Sequence, residues 1–528
     1  MGGVLKAKRI VLLSLVIFLI GVGLLPILVM LWKSLVVDGQ ISLANYKNLL
    51  SFRNWTLLKQ SLQLSLSTTL LAAAAGIPLG VLFSRTDLPL RRSFAVLFSL
   101  PLLLPPYITA FSWSILAGRE GFLARLFGPV TGGAFSSWFF GLPGCILTLF
   151  TTFMPVVMLL TMTYVKTVDP HLEESARTFA SWPRVLKEIT IPLIRPGILL
   201  AVILVFLLSL GEFSVPMFFR FDVFPVESFI QFSAFFSFSA ATAAAIPLAL
   251  IAFLAIFVER FFLLEKTYQL RAARGNTLSI KLKGSRRWLF ILVFMLALLI
   301  IGLPLGGLFL NSASLDVYGK ALATVGDSLG RSVVYAGIGA SILTFLGFLS
   351  GYLVHNKALP FWRSIDALTI FFFALPSPVI GIGLISLWNQ PVTNFIYGTF
   401  GMIILGYIIQ YTALTSRITV SALAQIPPSM EEAAQIVGAG WMRRIVRILA
   451  PLVRRSLVAG WLVGYIFCLR DTGITMMVYP PGNDTLPVRT FTLMANSPTQ
   501  LIAALCVIMI AATLIPLGTL GLFWTRRK

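Results

Sequence analysis

The sequence predicts an all-α membrane protein of about twelve spanning helices, arranged as two similar halves of six. Three observations carry that prediction. Of 528 residues, 58% are hydrophobic and 11% charged, whereas a soluble domain is about a quarter charged and cannot bury so much apolar surface. Apolar runs of about eighteen or more residues recur along the chain, each long enough to cross a bilayer core. Polar and proline positions of the first part return in the second. A soluble enzyme, a disordered tail and a fibrous repeat are excluded by the same composition.

The first six spans fall near 10–32, 61–84, 93–117, 141–165, 197–219 and 237–262. The second six fall near 288–312, 332–354, 364–388, 398–416, 457–479 and 500–524. They divide the chain into a first half (1–262), a polar, basic connecting segment (263–287) and a second half (288–528). The first run ends in Leu31-Trp32-Lys33 without a small-residue cleavage site, so a retained anchor is expected. Charge sets the orientation. The net charge is +22, and with the N-terminus inside, the inner loops hold basic residues over the outer ones by roughly three to one. Both termini are then cytoplasmic. These basic residues are spread over many loops, which argues against a nucleic-acid patch. Cys145, Cys468 and Cys506 lie singly in apolar runs and read as buried thiols. His171 and His355 stand far apart, so no metal centre is expected.

The two halves repeat. Ser61, Gly80, Leu88-Pro89 and Arg92-Ser93 return as Ser332, Gly351, Leu359-Pro360 and Arg363-Ser364, all offset by 271. Further on, Pro170 and Glu173-Glu174 return as Pro428 and Glu431-Glu432, offset by 258. Pro192 and Glu212 return as Pro451 and Asp471, offset by 259. The first half therefore carries about 13 extra residues, in the outer loop from Arg119 to Phe140. Two halves of even span number share one orientation, which implies a pseudo-twofold axis along the membrane normal and a path between them.

Each half has one long inner loop between its fourth and fifth spans. In the first, Asp169 is suited to cap a helix, Pro170 to open it, and Glu173 and Glu174 to sit near its positive end. In the second, Ser429 and Glu432 have capping-box spacing, and Gly438 and Gly440 end the short helix. A second amphipathic segment runs on to Pro192 or Pro451. The product is a short helix, a turn and another helix, suited to receive a push from a partner.

Here the chain resembles the permeases of ATP-binding-cassette importers. Glu432-Ala433-Ala434, Gly438 and Pro451 match the signature of their inner loops. Glu174-Ser175-Ala176, Ala180 and Pro192 match it more loosely, since alanine adopts the glycine turn less readily. The resemblance implies the type I importer permease fold. It makes these loops, with Glu173 and Glu431, the contacts for two copies of a separate ATPase subunit. It also implies an extracytoplasmic substrate-binding protein and a bacterial inner-membrane location. No Gly-x-x-x-x-Gly-Lys-Ser/Thr loop occurs, so ATP is expected to be used by the partners and no cofactor or metal to be bound by this chain. Leu104-Pro105-Pro106 and Gly141-Leu142-Pro143-Gly144 resemble the ferric-iron permeases, with thiamine, polyamine and phosphonate permeases as near relatives.

Few ionisable residues fall within the spans. Glu212, Arg470 and Asp471 occupy equivalent places in the repeat and read either as path or gate groups or as interhelical ties, with Glu212 and Arg470 as the candidate pair. Pro105-Pro106 and Pro376-Ser377-Pro378 interrupt the third and ninth spans, pointing to the path or to simple kinks. Two other classes compete. A secondary transporter would carry more embedded carboxylates and leave the paired inner loops unexplained, and a membrane-embedded enzyme would need a catalytic cluster that is not seen.

Overall fold

A computed structural model describes residues 2–37, 40–42, 44–47, 51–119, 121–263 and 279–525. Its architecture is helical almost throughout. In the first half, α1 (Gly2–Leu19) and α2 (Leu25–Leu35) form the first span, and α3 (Phe52–Arg85) the second. The third is broken into α4 (Arg91–Leu103) and α5 (Pro106–Ala117), and the fourth is α6 (Leu142–Val165). The inner loop carries α7 (Pro170–Arg177), and the fifth span is α8 (Ile191–Leu210). Two short helices, α9 (Ser214–Phe218) and α10 (Phe224–Ser233), precede α11 (Phe238–Leu263).

The second half repeats this order. Its elements are α12 (Arg286–Ala297), α13 (Leu303–Asn311), α14 (Leu315–His355), α15 (Trp362–Ala374) and α16 (Ser377–Trp388). They continue with α17 (Gly401–Leu423), α18 (Pro428–Ile436), α19 (Arg454–Arg470), α20 (Gly473–Val478), α21 (Leu486–Leu493) and α22 (Thr499–Thr525). Each helix labelled in the first half thus has a counterpart eleven labels later. Among the described residues nine helices are long and apolar enough to cross a membrane, and three bent pairs bring the number up to twelve.

Several boundaries differ from the sequence expectation. The fifth and eleventh spans, expected to reach 219 and 479, end at Leu210 and Arg470. The chain breaks there and continues in short helices whose apolar residues, read by run length alone, prolong the span before them. The second and eighth helices start far earlier than expected, and α14 alone has 41 residues, about 60 Å of helix. The extra segment of the first half folds as two short helices, Phe122–Phe127 and Pro129–Phe139, where the second half has a 3₁₀ turn, Pro391–Thr393, and the single-turn helix Asn394–Tyr397. The connecting segment falls largely outside the described residues.

Among the described residues, four π-helical stretches had no counterpart in the sequence reading. They are Ile20–Leu24, Leu186–Thr190, Leu298–Gly302 and Ile445–Leu449, two equivalent pairs. Each is followed two residues later by a proline: Pro26, Pro192, Pro304 and Pro451. A proline ring crowds the carbonyl four residues back and offers it no N–H, and a wider turn relieves both faults.

Packing within each half joins the second and fourth spans. A Cβ at Gly80 would stand 2.6 Å from that of Thr161, and one at Gly351 would stand 2.6 Å from that of Thr419, so glycine lets the helices approach closely at both places. Packing between the halves is reciprocal. Helix α2 crosses to lie on α16, and its counterpart α13 lies on α5. Lys33 of α2 donates to the Ser386 carbonyl at 2.6 Å. At the centre α8 meets α15, and α19 meets α4.

Candidate functional site: paired loops and the central seam

The first inner loop forms as its residues dictate. Asp169 caps α7 by accepting from the His171 N–H at 3.0 Å, with Pro170 in the first turn. One helical step separates the two glutamates, and it gives them opposite fates. Glu173 points inward and is fully buried. It accepts from the Thr190 hydroxyl at 2.6 Å and pairs with Arg85 at 2.9 Å. Burial pushes its carboxyl above the usual range, against the pull of Thr190 and Arg85. Glu174 faces out, 3.8 Å from His171. Ser175 is exposed beside it and Ala176 is half-buried. At the end of α7 the Ala180 N–H donates to the Ala176 carbonyl, and the Arg177 side chain donates to that of Ala180. Ala180 does not take the left-handed backbone. The turn closes without glycine by that other route.

The second loop differs in detail. Pro428 takes the first turn of α18, and no side chain caps it. The expected capping box is therefore not formed, because Pro427-Pro428 starts the helix early and draws Ser429 inside it. Gly438 is left-handed, with φ +84°, the geometry that favours glycine. Glu431 accepts from the Tyr352 hydroxyl at 3.0 Å and lies 3.5 Å from Arg444. Glu432 and Ala433 are exposed and Ala434 half-buried. Each loop also ends in a bare apolar tip: Phe179 is 94% exposed, and Ile436 and Val437 are 86% and 88%. Pro192 and Pro451 lie in the first turn of the helices after the π-helical stretches. Sequence reasoning missed Arg85, Thr190, Tyr352 and Arg444. A basic residue at an inner helix end looks like any other positive-inside charge.

The seam holds a cavity of about 80 Å³, lined among others by Pro106, Glu212, Pro376, Tyr411, Arg470 and Asp471. Both broken spans bend here, by 102° after Leu103 and by 106° after Ala374. Pro105 and Pro376 stand just before α5 and α16, and Pro106 and Pro378 lie in their first turns. The carbonyl of Leu102 would be served in a continuous helix by residue 106. That residue is proline, and Arg470 of the other half donates to this carbonyl instead. Its guanidinium also stands 4.9 Å from the Phe467 ring centre. Glu212 accepts from the Ser214 N–H and hydroxyl at 2.8 and 2.5 Å. Asp471 accepts from the Tyr411 hydroxyl at 2.7 Å and from the Thr475 N–H and hydroxyl at 2.9 and 2.8 Å. Glu212 and Arg470 share the cavity without forming an ion pair, each bound to a partner of its own.

The halves differ at one telling place. The counterpart of Arg470 is Gly211, where an added Cβ would stand 3.2 Å from the Pro376 Cα. One lip of the seam closes by a long cation, the other by bare backbone. Among the described residues no three His, Cys, Asp or Glu side chains gather as a metal site. Cys145, Cys468 and Cys506 are buried and unbridged.

Residues 72–264 and 343–527 each match the family described as the inner membrane component of binding-protein-dependent transport systems. The ferric transport system permease protein FbpB of Actinobacillus pleuropneumoniae is 22% identical over 406 residues, covering 73% of this chain and 59% of that protein. The chain thus spans less than two thirds of that relative. The Fe(3+)-transport system permease protein FbpB 2 of Haemophilus influenzae is 23% identical over 491 residues, 90% of this chain and 91% of that protein. The molybdenum transport system permease protein ModB of Escherichia coli K12 is 32% identical over 162 residues, 29% of this chain and 69% of that protein.

Proposed function

The chain belongs to the family of inner membrane components of binding-protein-dependent transport systems, and from that premise we propose that it forms the whole path of an ATP-driven ferric-iron importer. Two separate ATPase subunits dock on its paired inner loops, and a binding protein delivers the cargo from outside. The observation that carries the docking reading is the paired loop geometry. In each, one glutamate is tied inward while its neighbour and an apolar tip face out. A rigid helix that presents charge beside an apolar knob suits insertion into a partner's groove. The absence of a phosphate-binding loop from the sequence supports assigning hydrolysis to the partners. Iron is supported by a ferric relative that matches 90% of the chain.

The path reading follows from the seam. Cargo passing between the halves must part α4 from α19 and α8 from α15, the elements that meet there. Arg470 must then leave the Leu102 carbonyl, so its release accompanies opening.

The test is purification from native membranes in mild detergent, followed by uptake of radioactive ferric iron into proteoliposomes with the copurified partners. An ATPase at two copies per chain, lost from the folded Glu174→Arg/Glu432→Arg variant, together with ATP-dependent iron uptake, is the expected result. Uptake of molybdate, thiamine, a polyamine or a phosphonate in place of iron would reassign the cargo. A chain that purifies alone and transports on an ion gradient would overturn the ATP-driven reading.

A further inference from the structure

Arg85 ends α3 and is 2% exposed, among the largest side chains buried so fully. Its guanidinium donates to the carbonyls of Val165 and Val168 at 2.9 and 3.1 Å and pairs with Glu173 at 2.9 Å. The two carbonyls lie at the end of α6 and just beyond it, where a helix leaves its acceptors unserved. The pairing reaches α7, the first inner loop. One side chain therefore ties the second span, the fourth span and the loop together.

Its backbone adds a fourth element. The Arg85 carbonyl accepts from the Ile280 N–H at 2.7 Å, and the Asp87 N–H donates back to the Ile280 carbonyl at 3.2 Å. The Asp87 carboxylate accepts from the Leu282 N–H at 2.9 Å. Thr86 and Ile280 face each other in an isolated parallel bridge, and Ile280 is 7% exposed. Ile280 belongs to the lead-in of α12, the first span of the second half, which itself packs on α4.

The second loop lacks this device. Asn356 stands at the position equivalent to Arg85 and is exposed. There Glu431 is held by Tyr352 and Arg444, and α1 of the opposite half brings Lys8 to 5.3 Å from the centre of the Tyr352 ring. A four-way peptide and side-chain node serves the first loop, and a side-chain cluster of Glu431, Tyr352 and Arg444 serves the second.

We propose that Arg85 is a positioning residue that makes the first inner loop and the lead-in of the second half one mechanical unit, so that a push received by the first loop reaches both halves together. The proposal rests on the reading of these loops as ATPase docking sites. The geometry supplies the means: Glu173, the α6 carbonyls and the Ile280 N–H all converge on one residue, so none of the four elements shifts without breaking a bond to it.

The test uses the ATPase–permease complex in proteoliposomes, with hydrolysis and cargo uptake measured on the same sample. A disulfide between Thr86→Cys and Ile280→Cys locks the lead-in to the loop base, and the oxidised complex is expected to transport at a rate close to its reduced form. Inactivation by oxidation with recovery on reduction would show that the two elements move apart, and would overturn the proposal. Ile280→Pro removes the N–H that Arg85 receives while leaving the guanidinium untouched. It is expected to retain ATPase binding and hydrolysis while cargo moved per ATP falls about tenfold, the size of an ordinary coupling between sites. A merely structural contact would lower the yield of complex and leave that ratio unchanged, and an unchanged ratio overturns the proposal alone. A wild-type chain that never retains an ATPase overturns the docking reading beneath it, and the proposal with it.

Discussion

Glu173 and Glu174 are adjacent in sequence and identical in chemistry, yet only their burial tells what each does. Removing the inward member strands Arg85 as an unpaired buried charge, so Glu173→Ala is expected to cost about 3–5 kcal/mol. The measurement is chemical or thermal unfolding of the purified protein in detergent. Arg85→Met combined with Glu173→Leu should recover most of that loss, because exchanging a buried ion pair for apolar groups of similar size is often nearly neutral. Glu174→Ala, on an exposed surface, should change stability by no more than about 0.5 kcal/mol while weakening ATPase retention in the same detergent. The sequence marked both glutamates as one motif. It did not separate them, because the partner that draws Glu173 inward lies 88 residues earlier in the chain and carries no local signal.

At the scale of the helix, apolar run length located the spans and adjacent prolines located the two breaks, since both are local properties of the chain. What run length cannot see is a bend between two apolar stretches. Residues 213–219 are mostly apolar and extend the run before them, so the end at Leu210 was hidden until Ser214 was seen turning back onto Glu212. The loop turns were half legible. Gly438 reads directly as a left-handed residue, and Gly438→Ala is expected to cost about 1–3 kcal/mol of backbone strain, with Ala180→Gly lacking any matching gain because that turn is built otherwise. Paired unfolding curves of the two variants check this. The helix contact at Gly351 makes a firmer demand: with Thr419 2.6 Å from any added Cβ, Gly351→Ala should destabilise by about 1–3 kcal/mol through overpacking. The same curves read it out.

On the scale of the whole molecule, the repeat and its offsets were legible because polar and proline positions match at fixed spacing. The exchange of first spans was not, since α2 on α16 and α13 on α5 join residues hundreds of positions apart with no shared pattern. That exchange makes each half incomplete without the other. Cutting the chain between residues 264 and 278 and expressing both pieces together is expected to yield a complex that copurifies. Either piece expressed alone should fail to accumulate, with α5 or α16 left uncovered. Affinity capture through a tag on one piece gives the answer, and efficient accumulation of a lone half would contradict the exchange.

The mismatch between Gly211 and Arg470 bears on why such halves share a single polypeptide. A homodimer of the first half would bring two glycines to the seam, and a homodimer of the second would bring two arginines to two Phe373 carbonyls, whose helical donor position holds Ser377 with its N–H and not the proline found at 106. Joining the halves fixes their ratio at translation, so every pore receives one lip of each kind. Inheritance as one gene also lets the two lips diverge under separate selection without any risk of self-pairing.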